Sequence, residues 1–177
     1  MKDKDGFVYV CVNYNNNKQE KPEPTMGSLN VAKQITCGPF PTAPPEGVPS
    51  PALCEELLAL ITPDQFLFQV EGNNPDPSSQ FPGSPTGTDV RLGAGNYVVN
   101  EVVTQSAIED LESFVDTHPR VTGYGNQVTF TGDCSNVINS FEATGTIETG
   151  ESQTCNVINQ YFLLVFPEPT TASLTIN

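Results

Sequence analysis

Apolar residues recur at every second position in six short segments: 29–33 (LNVAK), 66–70 (FLFQV), 90–92 (VRL), 97–99 (YVV), 128–130 (VTF) and 157–161 (VINQY). A period of two puts those side chains on one side of an extended chain, so each segment reads as a half-buried β-strand. Between them lie turn-rich pieces, of which 71–88 (EGNNPDPSSQFPGSPTGT) is too polar and too rich in Pro, Gly and Ser to belong to a core. Short alternating strands at these intervals imply an all-β sandwich. The 16 prolines, 14 glycines and absence of tryptophan suit strands joined by turns, and 177 residues suffice for one good-sized domain with flanking segments.

Two segments depart from the alternation. Residues 50–61 (SPALCEELLALI) offer Ser50 as an N-cap, Pro51 in the first helical position and apolar residues at helical spacing. Residues 106–115 (SAIEDLESFV) offer Ser106 and Glu109 as a capping box, with Ile108, Leu111 and Val115 on one side. Both are expected as short helical insertions decorating the loops of the sandwich.

Seven Lys and Arg against 21 Asp and Glu give a formal charge of −14. Such a surface repels phosphate backbones and anionic membranes, which argues against a nucleic-acid partner. No apolar run approaches the roughly 20 residues that span a bilayer, and the first residues, MKDKDG, are not a signal peptide, so any export signal is expected to be removed or to lie outside this chain. Five cysteines with one histidine and no CxxC argue for disulfides over a zinc site, and hence for an oxidising, extracytoplasmic setting. The acidic clusters EEL, IEDLE and IETGE lack the spaced Asp-x-Asp-x-Asp-Gly pattern of a calcium loop, so no metal or other cofactor is expected.

The terminal regions repeat one another. PEPTMGSLNV (22–31) recurs as PEPTTASLTI (167–176), and a cysteine-bearing strand precedes each copy, VCVNYNN (10–16) and TCNVINQ (154–160). One reading divides the chain into the tail of a preceding module (1–27), a complete module (28–162) and a linker with the first strand of another (163–177). The other takes the terminal segments as arms that add strands to neighbouring subunits, with Leu174 and Ile176 pointing into the partner's sheet.

Three strands carry one polar residue each on an otherwise apolar face. Lys33 follows Leu29 and Val31; Glu101 follows Tyr97 and Val99; Asn159 lies between Val157 and Tyr161. Burying any of them alone costs roughly a few kcal/mol for the amide and much more for an ion. They are therefore expected to meet. Burial favours the neutral forms of an amine and of a carboxyl group, and a neutral lysine can attack the asparagine carboxamide while the acid polarises its oxygen, giving an isopeptide bond and ammonia. Periodicity equally allows each strand to end one residue earlier, with these side chains in water.

The order LxVxK, FxFxV, GxYxVxE and CxVxNxY resembles the collagen-adhesin B-type module, also called SpaA-like or prealbumin-like, of surface adhesins and pilins. Segments GSPTGTDVRLGAGNYVVNE, FTGDC and TGTIETGESQTCNVINQY are similar to a disulfide-bearing branch in secreted repeat proteins of bacteria and archaea. The resemblance spans residues 28–162 apart from insertions at about 36–63 and 104–122. It implies an immunoglobulin-like or prealbumin-like β-sandwich used as a stalk, spacer or filament subunit without substrate turnover, and an isopeptide trio of Lys33, Glu101 and Asn159. It also implies a Cys134–Cys155 bridge flanking the GTIETGESQ hairpin.

Cys37 and Cys54 bracket a proline-rich loop, where a second bridge is expected. Cys11 is left over; by the repeat it matches Cys155, so its partner would lie in a preceding module or another subunit, and a free thiol is the other reading. His118, before a proline in a polar stretch, is expected to be solvated and not catalytic. Together these readings point to a non-enzymatic structural subunit of an extracellular filament or cell-surface adhesin, homopolymeric through its terminal strands. The alternative is a monomeric adhesin domain whose loops at 36–63 or 71–88 bind a sugar, protein or ion of a host or surface.

Overall fold

Two of the segments that alternation separates are one strand. The computed structural model describes residues 26–38, 49–137 and 140–166. In it, 90–92 and 97–99 both lie in a 16-residue strand, Thr88–Val103. Its buried residues run 90 and 92, then 97, 99 and 101, so the inward face changes parity at Gly93–Gly95. Gly95 takes φ +139°, a conformation that side-chain-bearing residues rarely adopt, which is why glycine stands there.

In chain order the elements are β1 (Met26–Gly38), α1 (Pro51–Leu60), a 3-10 turn (Pro63–Gln65), β2 (Phe66–Asp76), β3 (Phe81–Pro82), β4 (Thr88–Val103), α2 (Gln105–Thr117), β5 (Val121–Gly132), β6 (Ser135–Asn136), β7 (Glu142–Ile147) and β8 (Ser152–Val165). The chain is mostly β with two helices, and its sheet is mixed. β1 runs parallel to β8 and antiparallel to β4; the other pairings are antiparallel. The hydrogen-bonded path is β3-β2-β4-β1-β8-β5, and β7 joins β4 and β6. The bend in β4 explains how one strand serves both β1 and β7. Residues 88–93 pair with β1, and 95–100 pair with β7 along the same edge.

The buried apolar side chains form one cluster that takes Leu29 and Val31 from β1, Phe66, Phe68 and Val70 from β2, Val90, Leu92, Tyr97 and Val99 from β4, and Val157, Tyr161 and Leu163 from β8. The helices are more than decoration. Leu57 and Ile61 at α1, and Ala107, Leu111 and Phe114 of α2, belong to the same cluster. Ser50 caps α1 by accepting from the Leu53 N–H, with Pro51 in the first turn, as its sequence implies. At α2 the expectation is corrected. Thr104, not Ser106, is the N-cap and accepts from the Ala107 N–H, and Phe114 is buried where Ile108 and Val115 are only partly so.

The polar stretch 71–88 is corrected as well. β2 continues through it to Asp76, and Phe81 is buried against Phe68, with ring centroids 6.2 Å apart. A lone aromatic among prolines and serines has no periodicity to announce it; its burial comes from the long-range pairing of β3 with β2.

Candidate functional site

Each residue of the polar trio reaches the core for a local reason. β1 keeps β8 as its neighbour to Gly38, but its pairing with β4 ends at Val31. Beyond that point the Lys33 N–H donates to the Ser84 carbonyl in the loop before β4, at 2.8 Å. Glu101 sits opposite Phe68 near the end of β4, and Asn159 sits opposite Ile35 of β1 and Val128 of β5. All three continue the faces that carry Val31, Val99 and Val157 inward.

Their side chains meet. Lys33 Nζ lies 2.5 Å from Glu101 Oε1, and Asn159 Nδ2 donates to the same oxygen at 3.0 Å. Lys33 and Asn159 are fully buried and Glu101 is 6 % exposed. These are the buried polar or charged residues among those described. The ammonium also faces aromatic rings, 4.4 Å from the Phe66 centroid and 5.8 Å from that of Phe68. Burial pushes the lysine down from 10.5 to about 8; the charge and hydrogen bond of Glu101 oppose this without cancelling it. Beside the trio, the Tyr161 hydroxyl is pushed up, first by burial and then by the charge of Glu101. Two atoms, Glu101 Oε2 and Asn159 Oδ1, are buried with no hydrogen-bond partner among the described residues.

An amine shifted toward its neutral form and a carboxamide, both held by one carboxyl group able to relay protons, are the components of an amide exchange. The unpartnered Oδ1 bears on this. The two ends of a carboxamide occupy nearly the same space, and a half-turn of Asn159 would bring Oδ1 to Glu101, where a protonated carboxyl could donate to it.

Cys37 and Cys54 form a disulfide joining the end of β1 to α1, and Cys134 and Cys155 form one joining the turn after β5 to β8. Cys11, Leu174 and Ile176 lie outside the described residues. His118 is not merely solvated, a further correction. It caps the C-terminus of α2, its ring stacks on Phe114 at 4.1 Å, Nδ1 lies 2.7 Å from the Phe114 carbonyl, and Nε2 lies 2.9 Å from Glu56 Oε2. Both acceptors favour the doubly protonated ring, and its pKa is raised, chiefly by Glu56.

Among the described residues no three His, Cys, Asp or Glu side chains gather as a metal ion would require. A cleft of about 790 Å³, lined by residues that include Asp76, Asp89, Arg91 and Glu151, opens at the start of β1, and the trio is not among its walls. No helix among the described residues is long and apolar enough to cross a membrane.

No protein-family model and no curated protein sequence matches the chain. Among solved structures it is similar to a bacterial adhesin from Mobiluncus mulieris containing intramolecular disulfide, isopeptide and ester bond cross-links, seen in two crystal forms. The first has 17 % identity over 78 % of this chain and a TM-score of 0.46; the second has 14 % identity over 76 % and a TM-score of 0.39. The chain spans 42 % and 41 % of the length of those two adhesin chains.

Proposed function

We propose that this chain is a non-enzymatic structural module of an extracellular adhesin or pilus-like filament: a β-sandwich locked by two disulfides and a Lys33–Asn159 isopeptide bond that Glu101 promotes. The observation that carries the reading is the convergence of two buried polar groups, Lys33 of β1 and Asn159 of β8, on one carboxylate oxygen of a third, Glu101 of β4. Apolar residues of similar volume would satisfy folding as well or better, since buried ion pairs are weak stabilisers. The trio's composition finds its use in the covalent step.

In that step the Lys33 proton passes to Glu101. The neutral Nζ attacks Asn159 Cγ while the protonated carboxyl donates to Oδ1. Glu101, ionised by that donation, carries the second Nζ proton to the departing nitrogen; collapse of the tetrahedral carbon then breaks Cγ–Nδ2, ammonia leaves, and Glu101 takes back the Oδ1 proton as the carbonyl re-forms. The product ties β1 to its parallel neighbour β8, so force applied along either strand meets a covalent bond. Two disulfides anchored on the same strands agree with a load-bearing part and with an oxidising location outside the cell.

Assembly into a homopolymer, with Leu174 and Ile176 of one copy entering the sheet of the next, is supported by the terminal repeat. A receiving edge exists in β5. Its 12 residues, VTGYGNQVTFTG, carry no charge, and among the described residues it pairs only with β8. Natural edges are ordinarily guarded by charge or proline.

The test is heat and protease resistance of the wild type against Asn159→Ala. A cross-linked module should survive conditions that unfold the variant; equal resistance would contradict the locked-module reading. The second reading, a ligand-binding adhesin domain, is favoured by the cleft beside Arg91, and saturable binding lost in Arg91→Ala would support it.

A further inference from the structure

The loop 81–87 passes directly over the Lys33 stem, and glycine at 83 is what lets it do so. Gly83 is buried. A Cβ placed on it would stand 3.0 Å from Lys33 Cβ and 3.1 Å from Cγ, and would run into the Pro63 carbonyl on its other side. The loop is pinned at both ends of this contact. Phe81 pairs with Phe68, the Gly83 N–H donates to the Phe66 carbonyl at 2.7 Å, and the Ser84 carbonyl accepts from Lys33 N–H and from Gly87 N–H, at 2.8 and 3.1 Å. Gly87, at φ +83°, closes that turn. Lys33 is thus held by β8 on one side and by this loop on the other, just where β4 no longer accompanies β1.

We propose that the loop 81–87, through Gly83, is a positioning element for the cross-linking step, holding the Lys33 stem in the rotamer that delivers Nζ to Glu101 and Asn159. This rests on the isopeptide reading above. Gly83 touches no reacting atom; it acts through the stem. A displacement of about 1 Å at a reacting group costs roughly a hundredfold in rate when reaction depends on a pre-set attack geometry. A methyl group at 83 has to move either the stem or the Pro63 backbone by a good fraction of that.

The experiment follows bond formation by intact mass against time during the first folding of the full chain, recovered unfolded from inclusion bodies and then oxidised to its disulfides. It compares the wild type, Gly83→Ala, Pro85→Gly and Gly145→Ala. Gly145 is the control, because a Cβ there would run into the Tyr97 side chain, a clash away from the trio. Near-ultraviolet circular dichroism at each time point restricts the rates to folded protein. Pro85→Gly adds no atoms and only loosens the loop, so it still reports if Gly83→Ala fails to fold.

The expected result is a cross-linking rate at least tenfold lower in Gly83→Ala and several-fold lower in Pro85→Gly, with Gly145→Ala at the wild-type rate. Wild-type rates in Gly83→Ala or, should that variant not fold, in Pro85→Gly would overturn the proposal and leave the isopeptide reading standing. Equal slowing in Gly145→Ala would overturn it too, by showing that general destabilisation suffices. A wild type that never loses ammonia would remove the parent reading and this one with it.

Discussion

Lys33 is an amine that folding places where it is least comfortable, and its protons report this. In Asn159→Ala, where no bond can form, the folded state holds the lysine near pKa 8 while the unfolded chain holds it near 10.5. Between those values the unfolded state binds more protons, so the folded state of this variant gains stability as pH rises from about 8 to 10.5. A wild type cross-linked as proposed would have no such amine to titrate and should show no rise; denaturant midpoints across that window measure both. Glu101→Ala is expected to abolish the bond and to cost about 3 kcal/mol or more, because it leaves the buried Lys33 without its partner. Intact mass and urea unfolding check the two halves separately. Meeting of the trio was readable in the sequence because period-two alternation names a face, and a polar residue on such a face must find company. Hidden from it was Gly83, whose role arises from a contact between chain segments fifty residues apart with no periodicity between them.

At the scale of elements, α1 is tied to the sheet and α2 to α1 by different means. Cys37–Cys54 closes a loop of 17 residues between β1 and α1, worth about 3 kcal/mol in the chain-entropy model. The double variant Cys37→Ala/Cys54→Ala should lower the unfolding free energy by about that amount, read from urea unfolding in which the slope rises as the unfolded chain expands. His118 joins α2 to α1 through Glu56. A histidine whose folded pKa is raised contributes stability that is fully present below its unfolded value of 6.5 and is lost as pH rises through the higher folded value. An NMR titration should place the His118 midpoint above 6.5 and show it falling in Glu56→Gln. Sequence located both helices, since their apolar spacing is local information. It misplaced the α2 cap because Thr104 and Ser106 are equally good capping residues, and the end of β4 at Val103 decides between them. It also split β4 in two, because the parity change at Gly93–Gly95 looks like an interruption until both halves are seen to pair with β2. Gly95→Ala should cost roughly 1–3 kcal/mol for the positive φ alone.

For the whole molecule, −14 charges oppose self-association, and any assembly must use the neutral stretches. The uncharged β5 edge is such a stretch, and the terminal repeat carries a single charge in each copy, Glu23 and Glu168. Deleting residues 167–177 is therefore expected to abolish polymer formation, and added salt to promote it in the full chain, both read by size-exclusion chromatography; polymers indifferent to the deletion would rule out assembly through that segment. Dominance of β-structure was legible throughout, since turn residues and alternation are local. The order in which the strands pair was not, because the parallel β1–β8 neighbours come from opposite ends of the described chain. That same pairing would give the proposed cross-link between Lys33 and Asn159 its mechanical meaning. The most direct measurement of that bond is the mass of the denatured, non-reduced protein, followed by peptide mapping. The expected result is a chain lighter by one ammonia beyond its disulfides, with peptides containing Lys33 and Asn159 joined. An unshifted mass with both peptides free would contradict it.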